Sequence, residues 1–176
     1  MIKIKFISLI ILLYSFLTVS SFSCNYRIID FEAKPNDIKL ETIPFAFSDP
    51  FGGKTIIIPI DNICPNETDI LGTTIHLLFL NDKMVSIKLE RSNMNDKKLM
   101  DLSSKEFGSF DIPKNIDKKN WRGSHTWNNP NEYIEYYSFD KRYSGEMEVL
   151  RILPKKYFDQ LKEYEQKIEE WLSSKK

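Results

Sequence analysis

The sequence predicts an α+β fold in which a mostly antiparallel β-sheet, built from hairpins, packs against two helices. Two stretches of the chain alternate apolar and polar residues with a period of two around a short turn-forming segment, the pattern of a β-hairpin. Two other segments carry apolar residues at spacings of three and four, which predicts helices. Strands and helices do not alternate along the chain, so a parallel sheet of the βαβ type is not expected.

Three short strands are predicted before the first hairpin, at Tyr26–Phe31, Ile38–Phe47 and Thr55–Ile60. Because proline lacks the N–H that a sheet ladder needs, prolines in and around these segments favour edge positions or irregular extended chain. Those prolines are Pro44, Pro50 and Pro59. The pair Gly52-Gly53 predicts a sharp turn between the second and third strands.

The first hairpin is predicted between Thr74 and Glu90, where two alternating runs flank Asn81-Asp82-Lys83. An Asn-Asp pair favours the tight turn that joins antiparallel strands. The first run is apolar at both sets of alternate positions, so we expect this strand to lie centrally in the sheet under a helix. The second run alternates apolar with polar residues and is expected to keep one face in water.

Two helices are predicted, one on either side of the second hairpin. The first runs from Asn95 to Phe107, and Gly108 is a plausible stop. The second is amphipathic and runs from Pro154, a residue suited to the first helical turn, to about Ser173 near the C-terminus. Its apolar stripe, which we expect to cover the sheet, consists of Tyr157, Phe158, Leu161, Tyr164, Ile168, Trp171 and Leu172.

The second hairpin is predicted between Glu132 and Leu153, with its turn at Asp140 to Gly145. Alternation divides the aromatic first strand into two faces. One face carries Tyr133, Glu135, Tyr137 and Phe139, and the other carries Ile134, Tyr136 and Ser138. One face must pack inward, and the pattern leaves open which one does.

The N-terminal residues have the organisation of an export signal. A short basic start at Met1 to Lys5 precedes an apolar run, Phe6 to Val19, and small residues then lead to Cys24. The run of about fourteen residues is shorter than the roughly 20 that a membrane-spanning helix needs. We therefore predict that residues 1–23 are a signal peptide and that residues 24–176 form a single exported α+β domain, periplasmic or secreted.

The two cysteines of the chain, Cys24 and Cys64, predict a disulfide, because an even number of cysteines in an oxidising compartment favours pairing. The segment Ser21-Phe22-Ser23-Cys24 also resembles the lipid-attachment site of bacterial lipoproteins. That resemblance implies a membrane-anchored lipoprotein, held through Cys24, as the alternative location. In that case Cys64 would remain an unpaired thiol.

Charge and composition restrict the classes of partner. Basic and acidic residues are equal in number, 25 of each, and the leader contains two of the lysines and no acid. The exported domain is thus close to neutral and lacks the basic surface of a nucleic-acid-binding protein. No cofactor motif is present, and neither histidine pairs nor acidic loops stand at metal-ligand spacing, so no cofactor or metal is predicted.

The candidate partner-binding residues come from an apparent loop and the strand that follows it. They are Trp121, Arg122, His125, Trp127, Tyr133 and Tyr137. Aromatic side chains supply contact area and arginine supplies directed hydrogen bonds, a combination typical of protein interfaces. The alternative for the loop is that its two tryptophans close the bottom of the core.

No catalytic residue is predicted, because serine chemistry requires a positioned base and the chain has no G-x-S-x-G motif. The sequence favours an exported, non-enzymatic protein-binding domain, such as an inhibitor or immunity-type protein of the cell envelope. Its partner would be another protein, either an exported toxin or an envelope component. The alternatives are a lipid-anchored protein that maintains the envelope and a small hydrolase that uses His125 and a nearby carboxylate.

Overall fold

The computed structural model describes residues 24–40, 45–92, 96–109, 111–141 and 145–175. The predicted signal peptide, residues 1–23, lies outside this range, as do Pro44, Asn95 and part of the predicted turn between Asp140 and Gly145. The described strands are β1 (Phe45–Ser48), β2 (Gly53–Pro59), β3 (Thr73–Leu80), β4 (Lys83–Ser92), β5 (Gly123–Asn128), β6 (Glu132–Lys141) and β7 (Gly145–Pro154). The described α-helices are α1 (Lys98–Phe107) and α2 (Phe158–Ser173).

The seven described strands form one antiparallel sheet in the order β1-β2-β3-β4-β7-β6-β5. Strands β1 to β4 form one meander and β5 to β7 a second, and the two are joined where β4 pairs with β7. The predicted α+β class, with hairpins and two packed helices, is therefore confirmed. Short connections explain the order, because each hairpin pairs strands that are neighbours in the chain.

Both predicted hairpins are present. Asn81 and Asp82 join β3 to β4 with φ values of 51° and 60°, which is the left-handed conformation of a type I′ turn. Strand β3 lies inside the sheet, as its apolar character predicts. The polar face of β4 is less exposed to solvent than predicted, because Ser86 is buried and Lys88 is half-buried next to α2.

One face of the sheet, here called the inner face, carries the hydrophobic core. Alternate residues of the central strands are buried there, and they pair across the sheet as Leu77 with Ile87 and Leu89 with Leu150. Helix α1, the N-terminal segment and the chain that follows β2 close this face. Their buried contributions to the core include Tyr26, Ile60, Ile70, Leu99, Met100 and Leu102.

A disulfide between Cys24 and Cys64 attaches the N-terminal segment to the chain after β2. Both cysteines are buried and belong to the core cluster. The segment they fix is irregular, and the predicted strand Tyr26–Phe31 is not formed. Within the predicted strand Ile38–Phe47, the described residues before Phe45 are also irregular.

The opposite face of the sheet, here called the outer face, is crossed by α2. Leu161 is the one residue of this helix that is buried. The remaining members of the predicted apolar stripe are half-buried or exposed. The helix therefore covers the sheet only in part. Among the described residues, no helix is both long and apolar enough to cross a membrane.

Candidate binding surface

The two tryptophans of the predicted recognition loop lie in the core. The segment predicted as a loop contains strand β5, which places Trp127 on the inner face opposite Ile134. The indole N–H of Trp127 donates a 2.7 Å hydrogen bond to the carbonyl of Gly108. Trp121 stacks on Tyr136 with ring centroids 5.9 Å apart. These positions match the alternative in which both tryptophans close the core, and they correct the prediction that the two indoles are presented to a partner.

Arg122 and His125 are held by contacts within the chain. The Arg122 guanidinium forms ion pairs with Asp140 at 2.8 Å and with Glu146 at 3.2 Å. The His125 ring meets the Trp127 ring edge-on, with centroids 4.6 Å apart. Burial lowers the pKa of His125, although the negative charge of Asp111 opposes this. The imidazole is consequently neutral at pH 7 and packs as part of the aromatic layer.

Tyr133 and Tyr137 lie on the outer face, so the structure decides the orientation that alternation left open. Tyr133 packs against Phe158 at the start of α2, with ring centroids 4.9 Å apart. Tyr137 stacks on Phe139, with centroids 6.0 Å apart, and Phe139 is 41% exposed. The six predicted residues thus do not form one surface, because the tryptophans and His125 belong to the inner side of the sheet and the two tyrosines to the outer side.

A cleft of about 420 Å³ separates α2 from the outer face. We call it the outer cleft. Its apolar wall comes from both the strands and the helix and consists of Phe47, Leu78, Leu161 and Ile168. Its polar groups include the hydroxyls of Tyr137 and Tyr164 and the charged residues His76, Lys88, Arg151, Glu165 and Glu169. Sequence reasoning missed this site because its residues come from six strands and one helix that are distant in the chain.

Arg151 is the central charged group of the outer cleft. Its guanidinium donates hydrogen bonds of 2.9 Å to Glu135 on β6 and of 2.9 Å to Glu165 on α2. Burial alone lowers the pKa of Arg151, but the two carboxylates raise it above its ordinary value. The Arg151 side chain therefore stays charged and ties the helix to the sheet.

A second cluster of charged residues lies on the part of the sheet that forms the floor of the outer cleft. The Glu90 carboxylate is 2.7 Å from Lys88 and 3.3 Å from the imidazole of His76. Burial lowers the pKa of His76, and the neighbouring Glu90 only partly offsets it. Burial raises the pKa of Glu90, but the hydrogen bond from Lys88 brings it below its ordinary value. Lys88 and Glu90 thus neutralise each other, and the floor combines compensated charges with apolar walls.

An apolar rim borders the cleft on the side of β1. We call it the β1 rim and define it as Phe45, Phe47, Phe51, Trp171 and Leu172. Phe45 and Phe47 are 69% and 47% exposed. Phe51 packs edge-on against Trp171 near the end of α2, with centroids 6.2 Å apart. Phe51 and Leu172 are also exposed, so the rim places four exposed large apolar side chains beside the cleft.

The inner face contains a buried ionic cluster that the sequence did not predict. Lys97 is completely buried in a left-handed conformation, φ 55°, immediately before α1. Its ammonium group forms an ion pair with Glu146 and donates hydrogen bonds to Ser138 at 2.7 Å and to the carbonyl of Trp121 at 2.8 Å. Burial and the positive charge of Arg122 lower the pKa of Lys97 to about 8. The ion pair compensates a charge that would otherwise be costly to bury.

Glu148 extends this cluster to the start of α1. One carboxylate oxygen of Glu148 accepts hydrogen bonds from the hydroxyl of Tyr136 at 2.8 Å and from the backbone N–H of Met100 at 3.1 Å. The first residue before the helix makes no side-chain cap, so Glu148 supplies an acceptor that the first turn of the helix requires. Burial raises the pKa of Glu148.

The cluster has the residue types of a catalytic serine–lysine pair but not its geometry. Ser138 and Lys97 are both buried, so a substrate cannot approach the serine hydroxyl. Lys97 is also paired with Glu146, which favours the charged form rather than the free base that activates a nucleophile. The arrangement holds α1, β6 and β7 together. Among the described residues, no group of three or more histidine, cysteine, aspartate or glutamate side chains is placed to hold a metal ion.

Comparison of the chain with protein-family models, with curated proteins and with solved structures gives no match.

Proposed function

We propose that this chain is an exported, non-enzymatic protein-binding domain that holds its partner against the outer cleft. The observation that carries the proposal is the incomplete cover of the outer face, where α2 leaves an open cleft of about 420 Å³ beside exposed aromatic side chains. An inhibitor or immunity-type protein of the cell envelope fits this description. Its partner would be an exported toxin or a component of the envelope.

The lining of the outer cleft favours a protein partner. Protein interfaces are anchored by one or two large apolar side chains that enter a pocket, surrounded by a rim that excludes water. Leu78, Leu161 and Ile168 supply the apolar wall for such an anchor. Tyr137 and Tyr164 supply amphipathic aromatic surface at its edge, which is enriched in protein interfaces.

Charge pairing inside the cleft supports recognition rather than chemistry. Arg151 is engaged by Glu135 and Glu165, and Lys88 is engaged by Glu90. A catalytic acid or base needs a free proton position directed at the substrate. Groups that are already paired instead give a surface of fixed polarity, which selects a partner by complementary charges at its margin.

Export is supported by the disulfide between Cys24 and Cys64, because such bridges persist in oxidising compartments. The bridge also bears on the lipid-anchored alternative. A Cys24 sulfur that is bonded to Cys64 cannot carry a thioether-linked lipid. The intact mass of the exported protein separates the two cases, since lipidation adds the mass of the acyl chains and a disulfide removes two hydrogens.

The test is a capture experiment from the cells that produce the protein. The full chain, with its leader and a C-terminal tag on a flexible linker, is expressed there and recovered together with bound envelope and secreted proteins. Ile168→Glu places a charge in the apolar wall of the cleft. Ile116→Glu makes the same exchange at a residue that is 38% exposed and does not line the cleft.

We expect one stoichiometric protein partner with the wild type and with Ile116→Glu, and loss of that partner with Ile168→Glu. All three proteins should show the same circular dichroism spectrum, so that loss of capture reports the surface and not the fold. Equal capture by the two variants would reject the outer cleft as the binding site. Recovery of only cell-wall or membrane material would contradict a protein partner.

A further inference from the structure

Strand β1 is an open edge of the sheet. Among the described residues, only β2 pairs with it. Its four residues, Phe-Ala-Phe-Ser, are all exposed and none is charged. Natural edge strands are usually protected from further pairing by being very short, by lysine or proline, by an inward charge or by a bulge. Strand β1 is short, with four residues, but its described part has none of the other features.

The hydrogen-bond pattern shows which backbone groups of β1 face away from the sheet. The N–H of Asp49 donates to the carbonyl of Gly53 at 2.9 Å. In an antiparallel pair, residues that bond to the neighbouring strand alternate with residues whose N–H and C=O point outward. Counting back from Asp49, Phe47 and Phe45 bond to β2, so the N–H and C=O groups of Ala46 and Ser48 point outward.

The sequence of β1 is symmetric about Ala46, since Phe45 and Phe47 flank it. We propose that β1 pairs antiparallel with β1 of a second copy of this chain, across a two-fold axis at Ala46. In this register the two Ala46 residues exchange N–H···O=C bonds in both directions. Phe45 of each copy lies opposite Phe47 of the other, at the closer spacing of a non-hydrogen-bonded pair.

The side chains of β1 in one copy are complementary to those of β1 in the other copy. Phe45 and Phe47 pair with Ile57 and Thr55 of β2, which places both phenylalanines on the outer face. A two-fold axis perpendicular to the sheet keeps the outer faces of both copies on the same side. Four phenylalanine rings then form one cluster, and aromatic neighbours across a strand pair attract one another. A contact in which the same patch serves both copies is the usual arrangement of a homodimer.

The dimer contact and the outer cleft can be tested separately. Phe47 belongs to both, but Ala46 does not line the cleft, and its side chain points toward the opposite side of the sheet. Because only four residues of β1 pair, the association is expected to depend on protein concentration. The full chain is therefore expressed with its leader, the exported product is purified, and its mass is measured by sedimentation over a wide concentration range.

The decisive variants place charges at the symmetry axis. Ala46→Lys and Ala46→Glu each bring two like charges face to face, so each variant alone should remain a monomer at concentrations where the wild type is a dimer. An equal mixture of the two variants should recover the dimer as a heterodimer, because opposite charges then face each other. Thr126→Lys, a charge on the opposite edge strand β5, serves as the matched control and should dimerise as the wild type does.

A wild type that stays monomeric at every concentration would overturn the proposal, even if a strand of another protein occupies the edge. Ala46→Lys that still dimerises alone would place the contact elsewhere. Neither outcome affects capture of a partner in the outer cleft, for which Ile168→Glu is the separate test.

Discussion

Removing one partner of the buried ion pair between Lys97 and Glu146 should destabilise the protein more than removing both. Lys97→Met keeps the length of the side chain but leaves the Glu146 carboxylate buried. Glu146→Leu keeps an apolar volume but leaves the Lys97 ammonium buried. Breaking a buried pair on one side typically costs about 3–5 kcal/mol, whereas replacing both partners with apolar residues is often neutral or stabilising.

The structure ranks the two single changes. After Lys97→Met, Glu146 still has Arg122 at 3.2 Å and the hydroxyl of Ser138 at 2.7 Å. After Glu146→Leu, Lys97 keeps Ser138 and the Trp121 carbonyl, which are neutral. It also faces the positive charge of Arg122, and the attractions of Glu148 and Asp140 are each smaller than that repulsion. We therefore expect the loss of free energy of unfolding to be about 3 kcal/mol for Lys97→Met, near the lower end of the range, and to lie near its upper end for Glu146→Leu.

The measurement is urea unfolding of the wild type, both single variants and the double variant at pH 7, with the free energy of unfolding obtained by linear extrapolation. For a chain of this size the single variants should also melt roughly 10 °C below the wild type. The double variant should be more stable than either single variant. A double variant that instead loses as much free energy of unfolding as the two single variants together would show that Lys97 and Glu146 do not behave as a buried charge pair. A cost of less than about 1 kcal/mol for Lys97→Met would show the same.

Three further changes test other parts of the fold. Cys64→Ser should lower the free energy of unfolding by about 4 kcal/mol, the chain-entropy value for a closed loop of this length, because the two cysteines are 40 residues apart. The difference should vanish when both proteins are melted in reductant. Trp127→Ala should cost about 3–5 kcal/mol, since this indole lies in the core cluster; unchanged stability with lost capture would instead make it a contact residue. Glu148→Gln should match the wild type at acid pH and become relatively more stable as pH rises, because the pKa of Glu148 is raised in the folded state. The wild type then loses stability as pH rises from the ordinary pKa of a glutamate through the raised folded-state pKa. Parallel stability curves from acid to neutral pH would contradict the last expectation.

The two hairpins could be predicted because their information is local. Asn81 and Asp82 both accept the left-handed conformation of the turn, and the runs on either side have a period of two. The same is true of α2, whose apolar spacing lies in one continuous segment. Its predicted start was too early, because Pro154 is the last residue of β7 and α2 begins at Phe158. In each case neighbouring residues determine the element, so a single sequence was sufficient.

Strand β5 was missed because its residues do not show the pattern of a strand. Gly123, His125 and Asn128 suggest a loop, and no regular apolar alternation is present. The strand forms because it pairs with β6 along its whole length and buries Trp127 opposite Ile134. Tertiary pairing thus determines the conformation, and the tryptophans become part of the core for the same reason.

The ionic cluster was missed because charged residues are normally assigned to the surface. Glu146 and Glu148 stand in phase with Leu150 and Ile152, so the period of β7 already places all four on the inner face. This alternation is the one signal in the sequence that places Glu146 and Glu148 on the buried inner face. Their partner Lys97 lies in a different part of the chain, and a buried carboxylate without a partner would have been unstable.

The dimensions of the sheet explain why the outer face is left open. Seven strands at a spacing of about 4.8 Å give a sheet roughly 30 Å wide, and the described sheet has that number. A single helix with its side chains is about 10–12 Å in diameter and can cover little more than a third of this width. The inner face is closed by α1, the disulfide-linked N-terminal segment and the tryptophans together, but in the part of the chain that the structure describes only α2 crosses the outer face. The proposed partner in the outer cleft and the proposed second copy at the edge of β1 would each cover part of the remaining apolar surface.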